Sequence, residues 1–337
     1  NKLLTGAESL MAYETEETQY CYPAFNSSCV KGKRSNYESN ILYVFFSLLS
    51  AWTVFLNLLV IFSISHFKKL HTPTNMIILS LSVADLLVGL IVMPIEATEL
   101  IETCWYFGDT LCNLFLILMG LLTSTSLCSL VLIAVDRYVA VCHPLMYPQT
   151  ITMNRTLIIV CFSWFFSSAY NIILSITHTS DGCYGECNVQ LTFEWKATDL
   201  VLSFLLPCTV IITLHLRIFY VVHQQVKVIN SQMKSEKCVM EGSVKRKSES
   251  KAALILGIIV AIHLICFITY YILTLTDSMA IPPTVLSCLI CFLYINSSLD
   301  PLLYALFYTW FRKSIKHILT LKIFQPESSQ VNILTNH

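Results

Sequence analysis

Charge is scarce in this sequence. Lys, Arg, Asp and Glu make up 12% of the 337 residues, about half the roughly 25% usual in soluble domains. Basic and acidic residues balance at 21 each, which removes the electrostatic case for a nucleic-acid partner. No run alternates with period two, so a strand barrel is excluded. No internal repeat of the transporter kind is visible. There is no phosphate-binding loop, no metal-ligand spacing of His, Cys and Asp, and no nucleophile–base pair, all of which argues against an enzyme. Residues 1–40 contain "YETEETQY" and lack the apolar core of a cleavable signal, so the first apolar run is expected to act as its own insertion signal.

Apolar length is what the chain has instead. It is 55% hydrophobic, with a mean hydropathy of +0.66. Seven runs, approximately 41–66, 75–99, 110–141, 156–178, 197–223, 253–276 and 284–308, are each long enough to cross a bilayer. The expectation is an all-α membrane protein, a seven-transmembrane helix bundle over 41–308. An outer N-terminus would span 1–40 and a third inner loop about 224–252.

Charge asymmetry sets the expected orientation. With the N-terminus outside, only Lys2, Lys31, Lys33, Arg34 and Lys196 of the 21 basic residues face outward, and the other 16 face the cytoplasm. The outer segments are acidic, with Glu14, Glu16, Glu17, Glu38, Glu102, Asp109, Asp181, Glu186, Glu194 and Asp277. Such a surface either attracts cations or is an ordinary solvated set of loops. The glycosylation acceptor Asn26 falls outside, as do Cys21, Cys29, Cys104, Cys112, Cys183 and Cys187, where disulfides persist. After the last run, Phe311, Ile315, Ile318 and Leu319 share one helical face and basic residues fill the other. This predicts a helix over 309–324 lying on membrane lipid, followed by a polar, disordered tail at 325–337.

Short motifs narrow the class. In chain order they are Asn57 in "FLNLLV", Asp85 in "LSVADLL", "DRYVAVCHPLMY" at 136–147, Trp164, Pro207 and "NSSLDPLLY" at 296–304. This set resembles the rhodopsin-like G-protein-coupled receptors over roughly 41–320. "FKKLHTPTN", "ETCWYFGD", "YALFYTWFRK", "CYGEC" and "NSSC" resemble the trace amine-associated receptors, and specifically a fish-type member.

The resemblance implies several roles. Asp136, Arg137 and Tyr138, with Asp300, Pro301, Tyr304 and Pro207, would carry activation, and a heterotrimeric G protein of the stimulatory or olfactory type would be the partner, raising cAMP. Asp85, Ser126, Asn296 and Asp300 would hold a sodium ion, since buried carboxylates need a cation or a proton. Asp300 stands where the family has Asn, so two acids can share one ion or proton. Asp85 as a packing hub is compatible with that reading. Cys112 would pair with Cys187 and Cys29 with Cys183, leaving Cys21 and Cys104 to pair or stay free. The plasma membrane, and within it the cilia of olfactory sensory neurons, would be the location.

The expected ligand is a small organic amine, yet the usual acid is missing. Aminergic receptors carry an Asp eighteen residues before the Arg of Asp-Arg-Tyr, and here that position is Met119. Eight residues before Pro207 stands Asp199, which in this family faces the ligand from span five. An alkyl ammonium stays charged at neutral pH, with a pKa near ~10.4, and bonds a carboxylate strongly. Alternatively, Asp199 lies in the first turn of its helix, where the helix dipole favours an acid, or pairs with Lys196 at the interface. Thr123 and Ser203 would add hydroxyls, and Phe267, Tyr270, Tyr271 and Tyr294 aromatic faces. Glu96 and Glu99 are solvated helix-end acids, a second cation site or an entry funnel. Span six reads "HLICFITYY", with Phe267 for the family's Trp and Thr269 for its Pro; His263 and His215 also replace family residues. The competing readings are a receptor of the same fold for a non-amine ligand and, more remotely, a transporter.

Overall fold

The computed structural model describes residues 19–177, 183–187, 191–233, 261–262, 264–269, 271, 283–307, 309–325 and 328–331. Six helices among these residues are long and apolar enough to cross a membrane. Span one is Asn36–His66 and span three Gly108–Cys142. Span four is Met153–Thr177 and span seven Pro283–Phe307. Spans two and five are each interrupted. Span two runs Pro73–Leu87, then a wide π turn Val88–Val92, then Met93–Glu102. Span five runs Phe193–Asp199, a π turn Leu200–Leu205, then Leu206–Met233, past the end its apolar run predicts. Of the sixth expected run, only 261–262, 264–269 and 271 are described, all helical. His263, Tyr270 and most of the third loop therefore lie outside the described residues.

Local chemistry explains these elements. The Ser35 side chain accepts from the Glu38 N–H and starts span one. Thr72 accepts from the Asn75 N–H, and Pro73 supplies the first helical residue of span two. The interruptions follow from proline, which lacks an N–H and clashes with the carbonyl four residues back. Four residues before Pro94 is Leu90, and four before Pro207 is Ser203; both lie inside the π turns. Pro301 leaves the Ser297 carbonyl without its helical donor, and Asn57 Nδ2 takes that place at 3.0 Å. Thr269, standing where the family has proline, donates its hydroxyl to the Ile265 carbonyl at 3.1 Å.

Span three is central, packed against spans two, four and five, while span one packs on spans two and seven. Two apolar clusters fill the bundle. One, around Val60, Ile64, Leu81, Ala134 and Ile211, lies toward Arg137, and the other, around Phe46, Met93, Leu122 and Tyr294, lies toward the disulfides. At the Arg137 end, helix Thr309–Leu319 buries Trp310, Phe311 and Ser314. Composition predicts disorder from Gln325; the described part instead forms a turn at Ser328–Gln330, with Ser328 Oγ 3.0 Å from His66 Nε2.

At the opposite end Cys21–Cys104 and Cys29–Cys183 tie the N-terminal strap to the end of span two and to segment 183–187, and Cys112–Cys187 ties that segment to span three. The pairing left open from sequence is thus a bond. Gly185 makes the junction possible. Its φ of +104° suits glycine, and a Cβ there would meet the Cys21 Cβ at 2.9 Å. Further along the strap, Lys31 Nζ donates to Glu102 Oε2 at 3.1 Å, which holds the lysine above its usual pKa.

Candidate functional site

Three polar centres lie along the bundle. The first is a cavity of about 40 Å3 lined by Asp85, Met119, Thr123, Ser126, Phe267, Tyr294 and Asn296 among others. Spans two, three, six and seven each contribute, so residues scattered from 85 to 296 meet in one place. Asp85, Ser126 and Asn296 are buried, and Asp85 lies within hydrogen-bonding reach of Ser297 and Asp300. Asp85 Oδ2 and Asn296 Oδ1 have no hydrogen-bond partner among the described residues. Two oxygen acceptors buried together in this way suit a hard cation, so the donor set fits sodium. Above them Thr123 donates to the Met119 carbonyl at 2.8 Å. Glu96 and Glu99 are both half-buried, on the Met93–Glu102 segment of span two. They are therefore not fully solvated helix-end charges.

The second centre surrounds Asp199, which is half-buried. Its Oδ1 accepts from Tyr170 Oη at 2.8 Å and from Ser203 Oγ at 2.7 Å. Ser203 is one helical turn further along span five; Tyr170 comes from span four. No bond from Lys196 to Asp199 occurs among the described residues, so the local ion pair considered from sequence is not what the carboxylate meets. The structure does not place Asp199 or Ser203 on the wall of the Asp85 cavity. Tyr271 packs on Phe204, with ring centroids 4.8 Å apart, between the two regions. Tyr170 escaped the sequence reading because a phenol on an apolar helix carries no motif; the one available signal was the need for a donor opposite Asp199.

The third centre is at the Arg137 end. Asp136 is 1% exposed and accepts from Thr74 Oγ1 at 3.0 Å and from Tyr147 Oη at 2.9 Å. Arg137 Nε donates to Asp136 Oδ2 at 2.8 Å, its Nη2 bonds the same oxygen, and Nη2 also reaches Thr74 Oγ1 at 2.8 Å. Tyr138 lies edge-on to His143 at 5.5 Å. Pro301 follows Asp300 in span seven, and the Tyr304 side chain lies outside the described residues. Trp164 Nε1 donates to Ser80 Oγ at 2.9 Å, pinning span four to span two.

Residues 56–304 match the family described as 7 transmembrane receptor (rhodopsin family). Trace amine-associated receptor 13c of Danio rerio is 38% identical, over 97% of this chain and 99% of its own length. The chain belongs to the trace amine-associated receptors. Trace amine-associated receptor 9 of Rattus norvegicus is 38% identical over 94% of the chain and 98% of its own length. Trace amine-associated receptor 5 of Mus musculus is 35% identical over 94% of the chain and 96% of its own length. The receptor is therefore a multi-pass G-protein-coupled receptor of the plasma membrane and not an enzyme. Its partners are a small-molecule ligand and a G protein.

Proposed function

We propose that this receptor senses small organic amines through Asp199, with the disulfide end and Asn26 outside the cell. The observation that carries the reading is the state of the Asp199 carboxylate. It sits in an apolar span with both hydrogen bonds on one oxygen, and no bond to Oδ2 occurs among the described residues. A protonated amine brings the missing positive charge. Tyr271, packed on Phe204 next to Ser203, would offer the ammonium a cation–π face worth about 0.5–2 kcal/mol, whereas Phe267 and Tyr294 line the Asp85 cavity and would contact other parts of the ligand. Met119, where aminergic receptors carry their acid, contributes only an apolar wall.

Binding would be relayed to the Asp136–Arg137 pair, whose opening frees Arg137 for a G protein. The stimulatory or olfactory type, raising cAMP, is the family expectation, as are the cilia of olfactory sensory neurons. Antibody labelling of olfactory epithelium checks the location. Asp85, Ser126, Asn296 and Asp300 would hold a sodium ion, which supplies compensating charge and no chemistry.

The test is a cAMP assay with a panel of aliphatic, cyclic, aromatic and poly-amines. Asp199→Ala should lower amine potency by about 100-fold, the factor given by a loss of ~3 kcal/mol for one partner of a buried pair. Asp199→Glu should retain part of it. Amine potency unchanged in Asp199→Ala would instead favour a receptor for a non-amine ligand. That second reading draws on Asp199's existing bonds and its distance from the cavity wall.

A further inference from the structure

We infer that Tyr170 is a positioning residue for the amine anchor, and that with Ser203 it makes Asp199 a one-oxygen acceptor. The inference rests on the amine reading of Asp199. A carboxylate offers about four acceptor sites, two on each oxygen. Tyr170 Oη and Ser203 Oγ both donate to Oδ1, at 2.8 and 2.7 Å. That oxygen is filled, and Oδ2 is left for the ligand.

The two donors differ in what they do. Ser203 lies four residues from Asp199 on the same helix and follows it through any rotation of span five. Tyr170 belongs to span four, 29 residues earlier, and fixes the carboxylate relative to a different helix. It therefore sets the direction in which Oδ2 points, and it holds the acid inside the bundle rather than at the interface with Lys196. A single oxygen takes one directed N–H from a given nitrogen. A primary ammonium, with three N–H groups, must place the others elsewhere, whereas an N,N-dimethyl ammonium has only one to place.

Tyr170→Phe keeps the ring and removes the donor. It frees one site on Oδ1 and loosens the carboxylate. Potency of N,N-dimethyl amines should then fall about five- to tenfold, the factor for one hydrogen bond of roughly 1 kcal/mol or slightly more. Matched primary amines should lose less, because a primary ammonium can bridge both oxygens. The potency ratio of primary to dimethyl amine should rise about threefold or more. Ser203→Ala, which removes the other donor to the same oxygen, should move that ratio the same way. Surface labelling corrects each variant for expression. An unchanged ratio in both variants, or a gain in dimethyl-amine potency, overturns the inference while leaving the anchor role of Asp199 standing. Loss of all amine selectivity control at Asp199 itself, seen as full potency in Asp199→Ala, overturns the amine reading and this inference together.

Discussion

Single residues in this receptor are informative chiefly when they are polar and buried. Asn57 is one: its amide reaches across to the Ser297 carbonyl that Pro301 leaves open, so one side chain repairs another helix. Asp85 is a second. With Oδ2 and Asn296 Oδ1 both unmet among the described residues, the site fits a cation. If sodium is that cation, agonist potency in the native receptor should fall as sodium replaces choline or potassium at constant ionic strength. Asp85→Asn should abolish this dependence. Radioligand competition across a salt series measures it, and a sodium effect surviving in the variant excludes this site. Asp199 and Tyr170 show the same logic at the proposed amine site, with donors counted against lone pairs.

At the scale of the element, proline placement decides where helices open. The π turn Leu200–Leu205 lies between Asp199 and Pro207, so it sets the rotation of the turn that carries the acid. One residue is about 100° of helix rotation. Pro207→Ala restores the missing N–H and favours closing the turn into ordinary α register, which would aim Asp199 away from its Tyr170 partner. Amine potency should drop by about tenfold at unchanged surface level, an amount in line with losing one directed hydrogen bond to a charge. Potency equal to wild type would mean that the π turn is held by packing, not by proline. Span two has the same device, with the Gly89 carbonyl taken by Ser50 Oγ at 2.6 Å. Span six, with Thr269 in place of proline, keeps its hydroxyl on its own helix instead.

At the scale of the whole molecule, one end is stapled and the other is held by polar contacts. Cys21–Cys104 ties the strap to the end of span two, 83 residues away in sequence. Replacing both by Ser should cost about 2–4 kcal/mol by the usual range for such a cross-link. A lower melting temperature of detergent-solubilised receptor would register this, whereas an unchanged melt would show that Cys29–Cys183 and Cys112–Cys187 suffice. The Arg137 end has no covalent tie among the described residues. Asp136, Arg137, Thr74 and Tyr147 hold it through hydrogen bonds, which can be exchanged for bonds to a partner protein.

Residue patterning alone sets the class. Low charge and apolar runs fix membrane helices, because backbone groups in lipid must bond within their own segment. Motifs in fixed order led to the receptor family, and the missing acid at Met119 drew attention to Asp199. Two of three disulfides came from resemblance. What Asp199 meets, and that Cys21 and Cys104 close a third bridge, became visible in three dimensions alone. Each of these is a contact between helices or loops far apart in the chain. Periodicity reports which face of a helix is apolar, but not which neighbour stands opposite a given polar atom.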